Sequence, residues 1–427
     1  MPIWRFNRGD WSEAYVFLKL LGLGRIYGAN ADFERDPSTF MDVIEILRYE
    51  NKRNNDKVLK FKRNVLGPTA NISAISDDVE FAVITSDDMS DYASRLYEAI
   101  RNVTDGRRKI EIPDIQAFLE SIKFSSPKAP PFTREQSAEF GSKTDIIVTT
   151  QDSIDHVQST NGFSIKSHIG SPSTLLNFAG GSNMVYKVEG CTEDIMHQLN
   201  AIESQNEMIQ TIKSNPDLSL SFIDSKKVYD RQGNCLGSVF GENLAYIDTG
   251  MLQVISTAVL ALCGYTDNVP ASSDVKDIVN TVATINPLRI RNNPQAFYEA
   301  KFKDLLFASF VGMTASTPWD GRRRITGGYI DVSRNGELLY YRALSDDIFN
   351  SYLFEHTFMD KPQRGTNYHI AHQKALWHFA RQAEDDAIIR QIKDEIPKKG
   401  DCAYIYFSDE YDEPCYCLNL NFQIRFR

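Results

Sequence analysis

The stretch from residue 142 to residue 190 constrains the architecture of this chain more than any other. KTDIIVTT and GFSIKSHIG are short runs rich in apolar and β-branched residues, and the polar segment QDSIDHVQSTNG separates them. NMVYKVEG follows as a third such run. Runs of this length, bounded by turn-forming residues, read as strands. Patterns with helical spacing stand on both sides of them. Strands and helices mixed in this way predict an α/β chain with a mixed β-sheet flanked by helices.

The flanking segments fill in that picture. Asp10 is placed to cap a first helix, with Glu13 three residues on, apolar residues at 11, 14, 15, 18 and 21, and Gly22 and Gly24 at its end. MDVIEILRY (41–49) and VLKFK (58–62) alternate apolar and polar residues as a strand pair, and helices are expected near 88–103 and 113–122. SSPKAPPF (125–132) reads as a linker or surface loop. SPSTLLNF is expected to open a helix capped by Ser171, Ser173 and Thr174, with further helices at 192–213, 249–264, 274–284 and 296–312. GGYIDV and ELLYYRA form a predicted hairpin about Arg334-Asn335-Gly336. Residues 367–396 read as a long polar helix, and AYIYF and CYCLNLNFQIRF as closing strands. The expected division is a core over 1–345, with 142–190 at its centre. Residues 346–427 then form an accessory helical segment whose final strands return to the core.

Composition narrows the setting. No run of about 18 apolar residues occurs, so no membrane span is expected, and the N-terminus lacks a signal-peptide pattern. The six cysteines are scattered without zinc-finger spacing, which suits free thiols in a cytoplasmic protein. A net charge of −10 argues against a general nucleic-acid coat protein. It leaves room for local basic clusters: Lys57, Lys60, Lys62 and Arg63; Arg289 and Arg291; Arg322, Arg323 and Arg324.

Chemistry concentrates on the first two strands of the central region. Alternation puts Asp145, Ile147 and Thr149 on one face of the first, and Ser164, Lys166 and His168 on one face of the second. A hairpin between them sets Asp145 and Lys166 side by side. Such a pair suits metal-assisted phosphodiester hydrolysis, with the carboxylate holding a hard cation such as Mg²⁺ and the lysine orienting water or neutralising charge. The plainer reading stays open: an Asp at a strand start is often a turn residue, and a Lys on a strand often protects an edge.

The segment from Asp145 to Asn177, with GFSIKSHIGSPSTLLN at its centre, resembles the active-site region of the HpaII family of type II restriction endonucleases. GDWSEAYVFLKLL (9–21), GNCLGSVF (233–240), GMTASTPWDG (312–321), GGYIDV (327–332) and LNLNFQIRF (418–426) match in family order. Segments 50–130 and 345–410 match less clearly. The resemblance implies a PD-(D/E)xK-type core, with Asp145 as the first acid and Lys166 as the motif lysine. Thr144 stands where that motif has Pro, and Ser164 where it has an acid.

A second acid is therefore needed from elsewhere. Glu13 is the first candidate, because it sits beside Val16, Phe17 and Leu20, where a bare carboxylate is costly; the competing role is a capping box with Asp10. Asp152 and Asp155 are weaker candidates in the turn. Asn177, one turn into the expected helix, either faces the site or a base or is an ordinary polar helix position, and His168 is either a supporting group or structural. Arg322, Arg323, Arg324 and Arg334 are candidate DNA contacts. The resemblance implies a Mg²⁺-dependent cut of double-stranded DNA at a short CCGG-like palindrome, 5′-phosphate ends and a homodimer on DNA. Two other readings remain: a DNA-binding protein with a degenerate site, and a nonspecific repair-type nuclease.

Overall fold

The computed structural model describes residues 2–426 except 31–33, 53–54, 104–108, 142, 155, 170–172, 178–179, 203, 230–233, 322–325, 342–345 and 362–404. The expected helix at 367–396 and the arginines 322–324 lie outside the described residues. The chain divides into two compact units, one built from Met1–Ser173 and Arg323–Phe349, the other from Thr174–Arg322 and Asn350–Arg427. Packing thus parts the chain elsewhere than at the expected boundary after residue 345.

In the first unit, helix α1 (Arg8–Leu23) opens at Asn7, whose side chain accepts the Asp10 N–H at 2.8 Å while Asp10 accepts the Asn7 N–H at 3.2 Å. This corrects the expected cap. Asp10 is the third helical residue, and the box closes without Glu13. Gly24 ends the helix at φ 68°, a conformation that glycine adopts at little cost. Trp11, Ala14, Tyr15, Leu18 and Leu21 are buried along it.

The strands are β1 (Arg25–Ala29), β2 (Arg35–Lys52), β3 (Asn55–Arg63), β4 (Asn71–Ser76), β5 (Val79–Thr85), β6 (Ile146–Asp152), β7 (Gln158–Ser167), β8 (Gly328–Val332) and β9 (Leu338–Tyr341). They form one nine-stranded mixed sheet in the order β1-β9-β8-β7-β6-β2-β3-β4-β5. The β1–β9 and β8–β7 pairs are parallel; β6–β7, β2–β6 and β2–β3 are antiparallel. Because β1 also pairs with β2, six strands close into a ring. One face of the sheet packs Val43, Ile46, Phe61, Val148, Phe163 and Ile330 against α1 and helix α2 (Ser86–Arg101) in a single core. Each such buried side chain contributes about 1.5–3 kcal/mol. The predicted hairpin is present as β8–β9, turning at Gly336 with φ 80°.

In the second unit, Ser219–Ser225, Met184–Glu189, Cys415–Leu420 and Ile405–Ser408 form an antiparallel four-stranded sheet. Thr357–Asp360, Gln423–Phe426 and Ser173–Leu176 form a three-stranded one. The last of these corrects a prediction: the described part of SPSTLLNF is a strand and not the start of a helix. Pairing with a strand far along the chain outweighs the local helix-cap signal. The predicted 192–213 helix is two helices, Glu193–Asn200 and Gln205–Ser214. Cys191, Cys235, Cys263, Cys415 and Cys417 are free thiols. Among the described residues no helix is long and apolar enough to cross a membrane.

Candidate active site

Asp145 stands immediately before β6. Its N–H donates to Phe163 O at 2.9 Å, and the register Ile146↔Phe163 sets it across from Ser164, one alternation before Lys166. Helix α3 (Pro113–Ser121) leads into the Pro-rich segment 125–132, and helix α4 (Arg134–Phe140) leads into Asp145. That junction lies across Gly162, where a Cβ would collide with Thr144 and Phe140 O. The Asp145 carboxylate is fixed through one oxygen: Oδ2 accepts the Ser164 hydroxyl at 3.0 Å and the Ile165 N–H at 2.7 Å. Ser164, which occupies the place of an expected acid, thus serves as a donor to the acid that is present.

Glu13, released from any capping role, lines a cleft together with Asp145, Phe17, Arg48, Ala129 and Phe132. Its Oε2 accepts the Ala129 N–H at 3.0 Å. Burial first, then the neighbouring Asp145 charge, push the Glu13 carboxyl up to about 8, against lowering by the Ala129 N–H, Arg48 and Lys128. Burial also raises Asp145, while Lys166, the two donors on Oδ2 and Lys143 pull it back. Lys166 is half-buried and has no hydrogen-bond or ion-pair partner among the described residues.

The segment expected to be a linker is a wall of this cleft. Arg48 is buried and donates to Ser126 O at 2.8 Å and Lys128 O at 2.7 Å. Its Nε pairs with Glu50 at 2.6 Å, and its guanidinium lies 3.9 Å from the centre of the Phe124 ring. Glu50 in turn takes both the N–H and the hydroxyl of Ser125. Sequence reasoning missed Arg48 and Glu50. The signal was available, because both share the strand face of buried Ile46, where charge requires a partner.

The other candidates fall elsewhere. His168 is buried with Nε2 2.8 Å from Asp331, and Asp331 lies beside Lys166 in the β8–β7 register. Asp152 is buried and accepts the Ile154 N–H at 2.8 Å, and Asp155 is outside the described residues. Asn177 is exposed just past the strand Ser173–Leu176 and belongs to the second unit. Arg334 is exposed in the β8–β9 turn, where its carbonyl accepts the Tyr97 hydroxyl at 2.9 Å. The basic cluster at 57–63 is divided by strand alternation: Lys62 is exposed, whereas Arg63 is buried and donates to Leu21 O and Gly67 O.

Asp145 and Lys166 thus stand on adjacent strands, and Glu13 of the first helix shares a cleft with Asp145. The model of the HpaII restriction endonuclease family matches residues 7–369. The chain belongs to the HpaII restriction endonuclease family. It is similar to the type II restriction enzyme HpaII of Haemophilus parainfluenzae, at 29% identity over 357 residues, 83% of this chain and 90% of that one. No solved structure matches. This HpaII-family chain is therefore a restriction endonuclease, a site-specific deoxyribonuclease. Asp145, Lys166 and Glu13 all lie inside the matched span.

Proposed function

We propose that this enzyme hydrolyses both strands of duplex DNA at a short CCGG-like palindrome, with Mg²⁺ as cofactor and 5′-phosphate and 3′-hydroxyl products. One observation carries the reading: the Glu13 and Asp145 carboxylates meet in one cleft, beside a lysine with no hydrogen-bond or ion-pair partner among the described residues. Two half-buried carboxylates, of which Asp145 raises Glu13, suit a hard divalent cation, which takes oxygen ligands and removes their repulsion. The described residues offer no three-carboxylate or His/Cys cluster, so these two acids, completed by water and phosphate oxygens, are the fitting set for Mg²⁺. Bound there, the cation supplies Lewis-acid stabilisation and an acidified water.

The chain's own groups carry the rest. Ser164 and Ile165 hold one Asp145 oxygen, which leaves the other directed to the ligand. Ala129 holds one Glu13 oxygen in the same way. Lys166 orients the attacking water and neutralises charge developing on the phosphate. In this reading the core is of the PD-(D/E)xK type, with Glu13 replacing the acid absent at Ser164. Arg334, with Arg322, Arg323 and Arg324, contacts DNA, and a palindrome cut on both strands calls for a two-fold dimer.

A run-off digest of a phage genome with Mg²⁺, EDTA or Ca²⁺ tests this. Discrete cuts that need Mg²⁺, at a four-base palindrome, are expected. Specific binding without cleavage indicates a degenerate site, and a smear indicates a nonspecific nuclease; either outcome overturns the proposal.

A further inference from the structure

The sheet face that carries Asp145, Ser164 and Lys166 does not end at the catalytic groups. Along β6 and β7 the same face continues outward as a ladder of uncharged polar pairs. Thr149 lies opposite Thr160, with their hydroxyls 2.8 Å apart. Gln151 lies opposite Gln158, whose Nε2 donates to Gln151 Oε1 at 3.2 Å. Thr160 and Gln158 are exposed, and Thr149 and Gln151 half-exposed. Among the described residues the outer half of β7 pairs with β6 alone, since β8 reaches only Phe163 to Ser167.

Three properties of this ladder point the same way. First, it is continuous with the site. Gln151 lies six residues from Asp145, which is about 20 Å at a strand rise of ~3.4 Å per residue. Second, successive same-face side chains recur about every 6.8 Å, or every second base pair at ~3.4 Å per step. Third, its side chains are of the kinds that pair with base edges: Gln bonds bases bidentately, and Thr serves as donor, acceptor or methyl contact, although both can also bond phosphate. The mutual bond of the glutamines leaves Gln151 Nε2 as a free donor and Gln158 Oε1 as a free acceptor among the described residues. Side by side, they can meet a G·C pair in the major groove, where guanine offers O6 and N7 and cytosine its N4 amino group, or adenine through its N7 and N6 amino group; the CCGG-like reading above selects the first for the test. Across β2 in the register, Asp42 lies beside Gln151 with Arg25 Nε 2.8 Å from it, and Glu45 lies beside Thr149 with exposed Lys62 beyond. A cation thus stands beyond each flanking carboxylate, where it suits a backbone contact beside the neutral pairs.

We propose that the outer face of the β6–β7 ribbon, through Gln151 and Gln158 with Thr149 and Thr160 beneath them, is the base-reading surface of this enzyme. It rests on the DNA-cleaving reading above. The ribbon joins chemistry and specificity in one rigid element, because the strands that position Asp145 and Lys166 also position the readers.

The test uses the full chain in Ca²⁺, with two duplex probes: one with the site mapped by the digest, and one with a single G·C pair of that site replaced by A·T. Binding is followed by fluorescence anisotropy. Wild type is expected to prefer the intact site. Q151A/Q158A is expected to lose roughly 5- to 150-fold of that preference, the span of one good bidentate contact. Its affinity for the substituted duplex should stay within about 2-fold, and its circular dichroism should be unchanged. Q151E keeps the side-chain length while removing the amide donor that faces the base, so it is expected to lose the preference. If Q151A/Q158A discriminates as wild type does, the ladder is not the reader, although the nuclease reading stands. If wild type itself shows no preference and no site-specific cutting, both readings fall together.

Discussion

Glu13 Oε2 accepts the main-chain N–H of Ala129 at 3.0 Å, so a carboxylate on the first helix is oriented by the middle of a Pro-rich loop. That loop is itself held by Arg48 through Ser126 O and Lys128 O. The second acid of the cleft therefore depends on a strand residue that does not line up with it in sequence.

Replacing the reacting groups tests the assignment most directly. Asp145→Ala and Lys166→Ala are expected to lower cleavage by at least about 100-fold. Thermal unfolding should show that both variants still fold. Near-wild-type cutting by either would remove that residue from the site.

Glu13→Gln separates two roles. A metal-binding role predicts loss of cleavage with stability kept below about pH 8, where the Glu13 carboxyl is already protonated, and raised above it, where the charge that burial disfavours is gone. A structural role predicts the reverse, retained cleavage and a lowered melting temperature. Steady-state rates and calorimetry on the same preparation decide between them.

The raised Glu13 carboxyl gives stability a pH dependence in the absence of metal. In the folded protein the group keeps its proton up to about 8, whereas the unfolded chain releases it near 4.5. The folded state thus binds more protons between those values, and stability falls as pH rises through that window. Melting temperatures of the metal-free protein from pH 5 to 8.5 should decline more steeply for wild type than for Glu13→Gln. Parallel curves would show that Glu13 does not titrate this way.

Divalent cation should reverse that penalty. Ca²⁺ at about 100 times its dissociation constant is expected to add about 2.7 kcal/mol by linkage. The gain should be largest near pH 8 and absent in the Asp145→Asn, Glu13→Gln double variant. An equal gain in that variant would place the cation elsewhere.

Arg48→Ala leaves Glu50 buried without its partner, at a cost of about 3–5 kcal/mol in denaturant unfolding. Arg48→Lys keeps the charge but has no planar fork to reach Glu50 and two carbonyls together. It is expected to recover stability only in part and to need more Mg²⁺ for half-maximal cleavage. Full recovery in both measurements would reduce Arg48 to a generic positive charge.

What the sequence revealed followed the range of the forces involved. The alternation in β6 and β7 made the Asp145–Lys166 hairpin readable, and Asn335-Gly336 announced the turn of the separate β8–β9 hairpin, because both signals are local. SPSTLLNF was misread because its Ser-Pro-Ser-Thr start carries the local mark of a helix cap, while the strand that overrides it lies near residue 424. The Pro-rich segment looked like a linker because its partners, Arg48, Glu50 and Glu13, are more than 70 residues away. The helix start was off by three residues, since Asn7 and Asp10 are both good caps and only the fold selects between them.

The first unit is assembled from two stretches separated by the whole of 174–322. Its strand β8 lies directly against β7, with Asp331 beside Lys166. During synthesis, at about 5–20 residues per second, Asp145 and Lys166 emerge roughly 10–30 s before the strands that complete their sheet. A prematurely terminated chain lacks that support. For a deoxyribonuclease, this delay makes competence wait on the strands that come late in the chain.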